Sequence, residues 1–389
     1  MHSDPKTSLD LNHPEFVSNP YPFFAAERAR HEAALNEAGV LLTFSHEATS
    51  AVLRDRRLQR LWKDREAEGR PAGYLEPFNV LHRNQMMENE GKVHTRLRRP
   101  VAAAFNRGHV ERLKPRVQEL AAQLLDEVDP DGFDVISQYA EPLPVLVIAE
   151  LLGVPTSYAD DLRDWSQAIV KMYEPAVSTE RVDAAVAAGQ AFADLVRDFV
   201  GHRRAKPADD LISDLVATDL SEDEVVASVV LLLNAGHEAS VNVFGNGLVS
   251  LLQAGEKPAA GPAGVALTIE EMLRFDSALQ LFERTAVEPV EIAGTTVEPG
   301  QKVWALLGAA NRDPKAFEEV DRFIPDRDPN PHLAFSAGIH FCLGAPLARM
   351  ELVESVGLLF ERFPTLDLRK AEPRDTFVLK GYETVEVAR

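Results

Sequence analysis

The sequence predicts a mainly α-helical fold with small antiparallel β-sheets, and three observations carry that expectation. Helical periodicity runs from His94 to about residue 254, broken chiefly at Asp129–Pro130–Asp131–Gly132. Within it, Ser221 to Gln253 reads as a single long helix, opened by Ser221 and Glu224 in capping-box spacing and stopped by Gly255. Short strand-like stretches between turn residues come mostly after that helix. No repeat of fixed period and no low-complexity linker marks a domain boundary.

The 389 residues are enough for a sizeable core, and 45% hydrophobic with 26% charged residues is ordinary globular composition. Disorder, collagen and coiled coil are excluded as the main state. Asp plus Glu number 61 against 41 Lys plus Arg, a formal charge of -20 that disfavours nucleic acid and anionic membranes as partners. The N-terminus MHSDPKTSLDLNHPEF lacks the apolar stretch of a signal peptide, and no run of 18 uncharged apolar residues suggests a membrane span. HExxH, Walker and complete GxGxxG motifs are absent.

The elements follow in order. A helical pattern starts near Pro22 (PFFAAERARHEAAL), and Gly39–Phe44 (GVLLTF) reads as a strand. Residues 60 to 92 read as mixed and loop-like. After the long helix come short strands, a helix near 269 to 276, a Pro-rich turn region and a terminal helix near 345 to 362. The long helix would extend about 48 Å, wider than a small domain. Its apolar middle, VVASVVLLLNAG, has to cross the core. There sit Gly236, His237, Glu238 and Ser240. An interior Gly costs up to about 1 kcal/mol and a buried carboxylate needs partners. These residues form either a packing glycine beside a core polar network or the place where the helix grazes a ligand.

The one cysteine, Cys342, excludes an internal disulfide, an Fe–S cluster, a Zn–Cys₄ site and a CxxCH haem attachment, and it fits a reducing compartment. It lies in FSAGIHFCLGAPLARME, Phe335 to Glu351, a Gly-flanked loop at a helix N-terminus. Unpaired N–H groups there are expected to lower a thiol pKa. Three uses compete: a small core residue, a hydrolase nucleophile with His340 as base, or an axial iron ligand beneath a planar cofactor.

The pattern Phe335-x-x-Gly338-x-His340-x-Cys342-x-Gly344 resembles the cysteine-ligand loop of the cytochrome P-450 family. Other elements follow in the family's order: His94-Thr95-Arg96-Leu97-Arg98, Ala235-Gly236-His237-Glu238, Glu271-Met272-Leu273-Arg274, the meander Asn311-Arg312-Asp313-Pro314 to Arg327, and the terminal FVLKGYETVEV. The resemblance, to soluble bacterial members, spans residues 14 to 389 and implies one domain with residues 1 to 13 as an extension without a membrane anchor.

It further implies haem b between the long helix and the Cys342 loop, with Cys342 thiolate as the iron ligand. Phe335 would shield the sulfur and N–H groups near Gly344 would tune it. His94, Arg98, Arg284 and His340 would clamp the propionates. Glu271 and Arg274 would pair with a meander arginine, expected at Arg322; the competing reading is a Thr268/Glu271 capping box. At the oxygen-side groove of Gly236, Glu238, Ala239 and Ser240, the family's threonine is replaced by Ala239, so a substrate hydroxyl or water near Glu238 or Ser240 is expected instead. Phe78, Leu81, Met86, Leu232, Ala235, Leu279, Leu281, Phe282 and Phe377 would line an apolar substrate pocket.

The implied activity is cytoplasmic monooxygenation using O₂ and NAD(P)H-derived electrons, delivered by a ferredoxin and its reductase to a monomer. Arg96, Arg99, Arg107 and Arg349 are expected as the docking patch. The alternatives are a peroxide-using oxygenase, a non-catalytic haem protein and, more remotely, a cysteine hydrolase.

Overall fold

The computed structural model describes residues 4 to 389, without the side chain of Arg107. Helices dominate, and the longest is Glu222–Gln253, 32 residues at the centre of the molecule. The capping box forms: Ser221 Oγ accepts the Glu224 N–H and Glu224 Oε2 accepts the Ser221 N–H, satisfying two donors a helix start otherwise leaves bare. The helix is long and apolar enough by composition to cross a membrane, yet 72% of its most apolar stretch is buried inside the fold. It packs against helices Pro142–Leu152, Thr179–Ala205 and Gly261–Phe275.

Among the described residues, ten short strands make three sheets: β1 Ala33–Leu35, β2 Leu41–Thr43, β3 Leu58–Gln59, β4 Phe133–Asp134, β5 Leu281–Ala286, β6 Val290–Ile292, β7 Thr295–Val297, β8 Lys302–Leu306, β9 Asp367–Pro373 and β10 Tyr382–Ala388. The largest runs β1-β2-β8-β5-β3; the others are β4-β10-β9 and the pair β6-β7. One pair departs from the antiparallel expectation. β2 and β8 run parallel, Leu41 facing Val303, because about 260 intervening residues free them from hairpin geometry.

Two further elements differ from expectation. Residues 60 to 92 contain a helix, Glu76–Arg83, whose Phe78, Asn79, Leu81 and His82 are buried; its apolar face is too short for periodicity to declare. The helix expected near 269 to 276 spans Gly261–Phe275. Gly261-Pro262 reads as a breaker, but Pro in the first helical turn is a start signal. Ahead of Pro14, the chain bonds Thr7 N–H to Leu35 O and buries Leu11 with Phe16 and Phe24.

Candidate active site

Cys342 sits between a short 3₁₀ turn, Gly338–His340, and helix Ala345–Arg362. Its N–H donates to Phe335 O at 2.9 Å, closing the loop on itself. Gly338 has φ 71°, and a Cβ there would lie 2.4 Å from Leu53 O, so only glycine fits this crossing. Gly344 is different: a Cβ would meet nothing within 4 Å, so the space beside this residue is open. The helix-start effect on the thiol is present but outweighed. Burial raises the thiol above its ordinary value, opposed by the Gly344 N–H, the Arg98 charge, the Ala345 N–H and the Arg349 charge.

The central helix presents a bare face. Ala235 is exposed, and Leu231, Gly236, Ala239 and Ser240 are half-buried, although their neighbours Leu232, Leu233, His237 and Glu238 are buried. Residues 231, 235 and 239 share one side of a helix. Small side chains there leave room for a flat group. A Cβ on Gly236 would only touch Ile148 at 3.4 Å, so this glycine is not forced by packing.

The four residues expected to clamp propionates come together only in part. The His94 and His340 rings are 4.9 Å apart. His94 Nε2 and Arg284 Nη2 are buried without a partner. Burial, then His340 and Arg98, lower His94 to about 4. Burial, then the Arg60 charge, push Arg284 well below its ordinary value. Two buried unpaired donors near a thiol are the complement of a group carrying carboxylates. The other two are already engaged. Arg98 Nη2 donates to Phe341 O at 2.7 Å, and His340 Nε2 lies 2.8 Å from Glu90 Oε1. Glu90 gives no motif signal, yet His340, the Arg60 N–H and Arg284 hold its carboxyl low against burial.

The oxygen-side groove contains more charge than the motif announces. Arg374 Nη1 donates to Glu238 Oε2 at 2.9 Å, and Arg374 Nη2 is 3.9 Å from Glu141 Oε1. His237 lies between the carboxylates, Nδ1 3.6 Å from Glu238 and Nε2 3.9 Å from Glu141. Burial raises Glu238 and Glu141, each opposed by Arg374 and Glu141 also by Arg163, while burial with Arg374 and Arg163 lowers His237 to about 3. His237 is therefore neutral. Both its nitrogens, Glu238 Oε1, Arg374 Nε and the Asn242 amide lack hydrogen-bond partners among the described residues. A cavity of about 20 Å³ at Glu238, Arg374, Lys171 and Glu383 has room for a water.

The ion pair expected beside the Cys342 loop forms with a different arginine. Arg274 Nε and Nη2 each donate to Glu271 at 2.7 Å, and Arg327 Nε donates to Glu271 Oε2 at 3.0 Å. Arg322 turns outward to Glu319 and contributes only its carbonyl, because the meander loop turns between them. The capping-box alternative fails: the helix starts at Gly261, seven residues before Thr268, and Thr268 Oγ1 binds Ala259 N–H and the Gly264 and Pro325 carbonyls.

Of the apolar pocket set, only Ala235, Leu279 and Phe282 retain exposure; Phe78, Leu81, Met86, Leu232, Leu281 and Phe377 are core. Phe377 packs on Phe16 and Phe24, and Phe78 stacks on His82 at 4.0 Å. Two arginines of the expected docking patch carry ion pairs. Arg96 is bidentate to Glu224 and Arg349 to Glu270, Arg99 is exposed, and the Arg107 side chain lies outside the described residues. One carboxyl drew no attention in the sequence. Glu351, buried on the helix after Cys342, has no hydrogen bond or ion pair among the described residues, and burial lifts it to about 8.

Comparison with known proteins places this arrangement. The sequence model of the family "Cytochrome P450" matches residues 265–384. The chain is 34% identical over 373 residues to the biotin biosynthesis cytochrome P450 of Bacillus subtilis, covering 92% of this chain and 93% of that one. It is 38% identical over 306 residues to 6-deoxyerythronolide B hydroxylase of Saccharopolyspora erythraea, covering 76% and 74%. The solved structure of P450BioI in complex with hexadec-9Z-enoic acid ligated acyl carrier protein superposes with a TM-score of 0.92 at 32% identity, over 97% of this chain and 100% of that one. A lone thiol in a closed loop, two unpaired buried donors beside it and a bare helix face also suit haem, and the chain belongs to the cytochrome P450 family of haem-thiolate monooxygenases.

Proposed function

We propose that this chain inserts one oxygen atom from O₂ into a C–H or C=C bond of a mainly apolar skeleton of polyketide or fatty-acyl type. The observation that carries the reading is the Cys342 loop, where a single half-buried thiol receives backbone N–H groups from Gly344 and Ala345 and Gly344 leaves open space beside its backbone. Haem held there supplies the oxygen chemistry, since a thiolate ligand favours O–O cleavage. His94 and Arg284 bind its carboxylates, Arg98 and His340 brace them, and Phe335 keeps water from the sulfur.

Glu238 and Ser240 hold a water or a substrate hydroxyl where Ala239 offers none. Arg374 orients the Glu238 carboxylate, and neutral His237 leaves it the only acid on that stretch of helix. A relative named as a hydroxylase of 6-deoxyerythronolide B and a structural neighbour bound to acyl carrier protein motivate the substrate class. Electrons come from NAD(P)H through a ferredoxin and its reductase, which meets a monomer in the cytoplasm on the side of exposed Arg99.

The test is a compound panel read by the Soret shift of the haem-loaded protein. Apolar chains bearing a hydroxyl shift the band; a band moved only by small charged compounds contradicts the reading. Ala239 favours a second reading, oxygenation driven by peroxide. Turnover with peroxide alone, and none with ferredoxin and O₂, would select it.

A further inference from the structure

Helix Gly261–Phe275 carries two adjacent glutamates with different duties. Glu271 faces the meander, as described. Glu270 faces the Cys342 side, where Arg349 Nε and Nη2 donate to its two oxygens at 2.6 and 2.8 Å. His332 Nδ1 accepts the Ala334 N–H at 3.2 Å, so its proton is on Nε2, which donates to the same carboxylate at 2.9 Å. Burial works to raise Glu270, but Arg349 and His332 bring it down to about 2. The pair is thus charged at any working pH.

An arginine on the outer part of a helix ordinarily wanders in solvent. Here the bidentate contact fixes the guanidinium plane, and that plane lies 4.5 Å from the centroid of the Phe335 ring. The backbone carbonyl of Phe335 is the acceptor for the Cys342 N–H. Arg349 therefore touches the loop at the residue that closes it.

We propose that Arg349 is a positioning residue: anchored by Glu270 and His332, it holds the Phe335 ring in place and so controls the access of water to the Cys342 sulfur. The proposal rests on the haem-thiolate reading above. Arg349 acts through Phe335 and touches no reacting atom.

The test uses the haem-loaded protein. Wild type, Arg349→Gln, Glu270→Gln and Arg349→Lys are reduced under carbon monoxide in mild urea. The rate at which the thiolate-type spectrum converts to the thiol type is recorded, with circular dichroism in parallel. Both Gln variants are expected to convert at least about tenfold faster, as loss of supporting contacts around a metal ligand typically costs. Arg349→Lys, which keeps the charge but not the fork or the stack, recovers only part. The helical signal stays intact during the conversion. Equal rates in wild type and both Gln variants overturn the proposal, as does conversion that merely tracks loss of helix. If Arg349→Gln does not load haem, Glu270→Gln decides, since it loosens the anchor and keeps the guanidinium. A wild type without any thiolate-type spectrum refutes the haem-thiolate reading, and the proposal falls with it.

Discussion

Two buried polar regions of this chain are built in opposite ways. Around Glu271 each carboxylate oxygen has several donors: Arg274, Arg327, the Ile324 N–H and Asn330. Around His94 and Arg284, and along the central helix at His237, Glu238 and Asn242, several buried polar atoms have no hydrogen-bond partner among the described residues. A closed network holds one piece of chain to another. An open one costs free energy in the protein alone and persists where something other than protein completes it. The contrast separates scaffold from site without reference to any relative.

The largest expected effect breaks the closed region. Glu271→Gln leaves Arg274 and Arg327 buried with no counter-charge, which should cost about 3–5 kcal/mol in urea unfolding. A loss below about 1 kcal/mol would show that this network does not hold the meander.

Glu351 tests the open side by pH. Its folded pKa, about 8, lies above the ordinary 4.5, so wild type has this stability below pH 4.5 and loses it as pH rises to 8. Glu351→Gln should flatten that slope, with a gain at pH 9 of at most about 5 kcal/mol, since each pKa unit is worth about 1.4 kcal/mol. Parallel stability curves for the two proteins would mean the carboxyl has a partner in solution.

Arg284 sharpens the contrast, because the sign should invert. Arg284→Met removes a buried cation that has no carboxylate within ion-pair distance and one nitrogen without a hydrogen-bond partner among the described residues, and should leave the polypeptide little changed in stability. Transfer of haem to an acceptor protein should nevertheless be about tenfold faster, as a lost supporting contact predicts. Slower or unchanged transfer would remove Arg284 from the site.

The smallest effect is at the groove. With substrates lacking a hydroxyl, Ala239→Thr should lower the peroxide released per NAD(P)H, while hydroxyl-bearing substrates should see little change. Improvement with every substrate would show that neither substrate nor water substitutes for the missing side chain.

What the sequence revealed follows the reach of its signals. Cys342, Glu271 and Arg274 were legible because their partners lie within one turn or one loop. The fold class was legible from the long helix and its cap. Arg327 was missed for Arg322 because both lie on the same meander, and only its path decides which side chain turns inward. Arg374 and Glu141 reach Glu238 from 136 residues downstream and 97 upstream, a distance no local pattern spans. The apolar pocket set was less legible, for a related reason. Hydrophobicity marks Phe78 and Phe377 as buried but does not say whether they face a cavity or, as here, each packs on other aromatic side chains.

The most direct test is the ferrous–carbon monoxide spectrum of the purified protein beside Cys342→Ala. The account predicts a thiolate-type Soret band in wild type that vanishes in the variant. A colourless wild type after reconstitution, or a variant whose spectrum is unchanged, would contradict it.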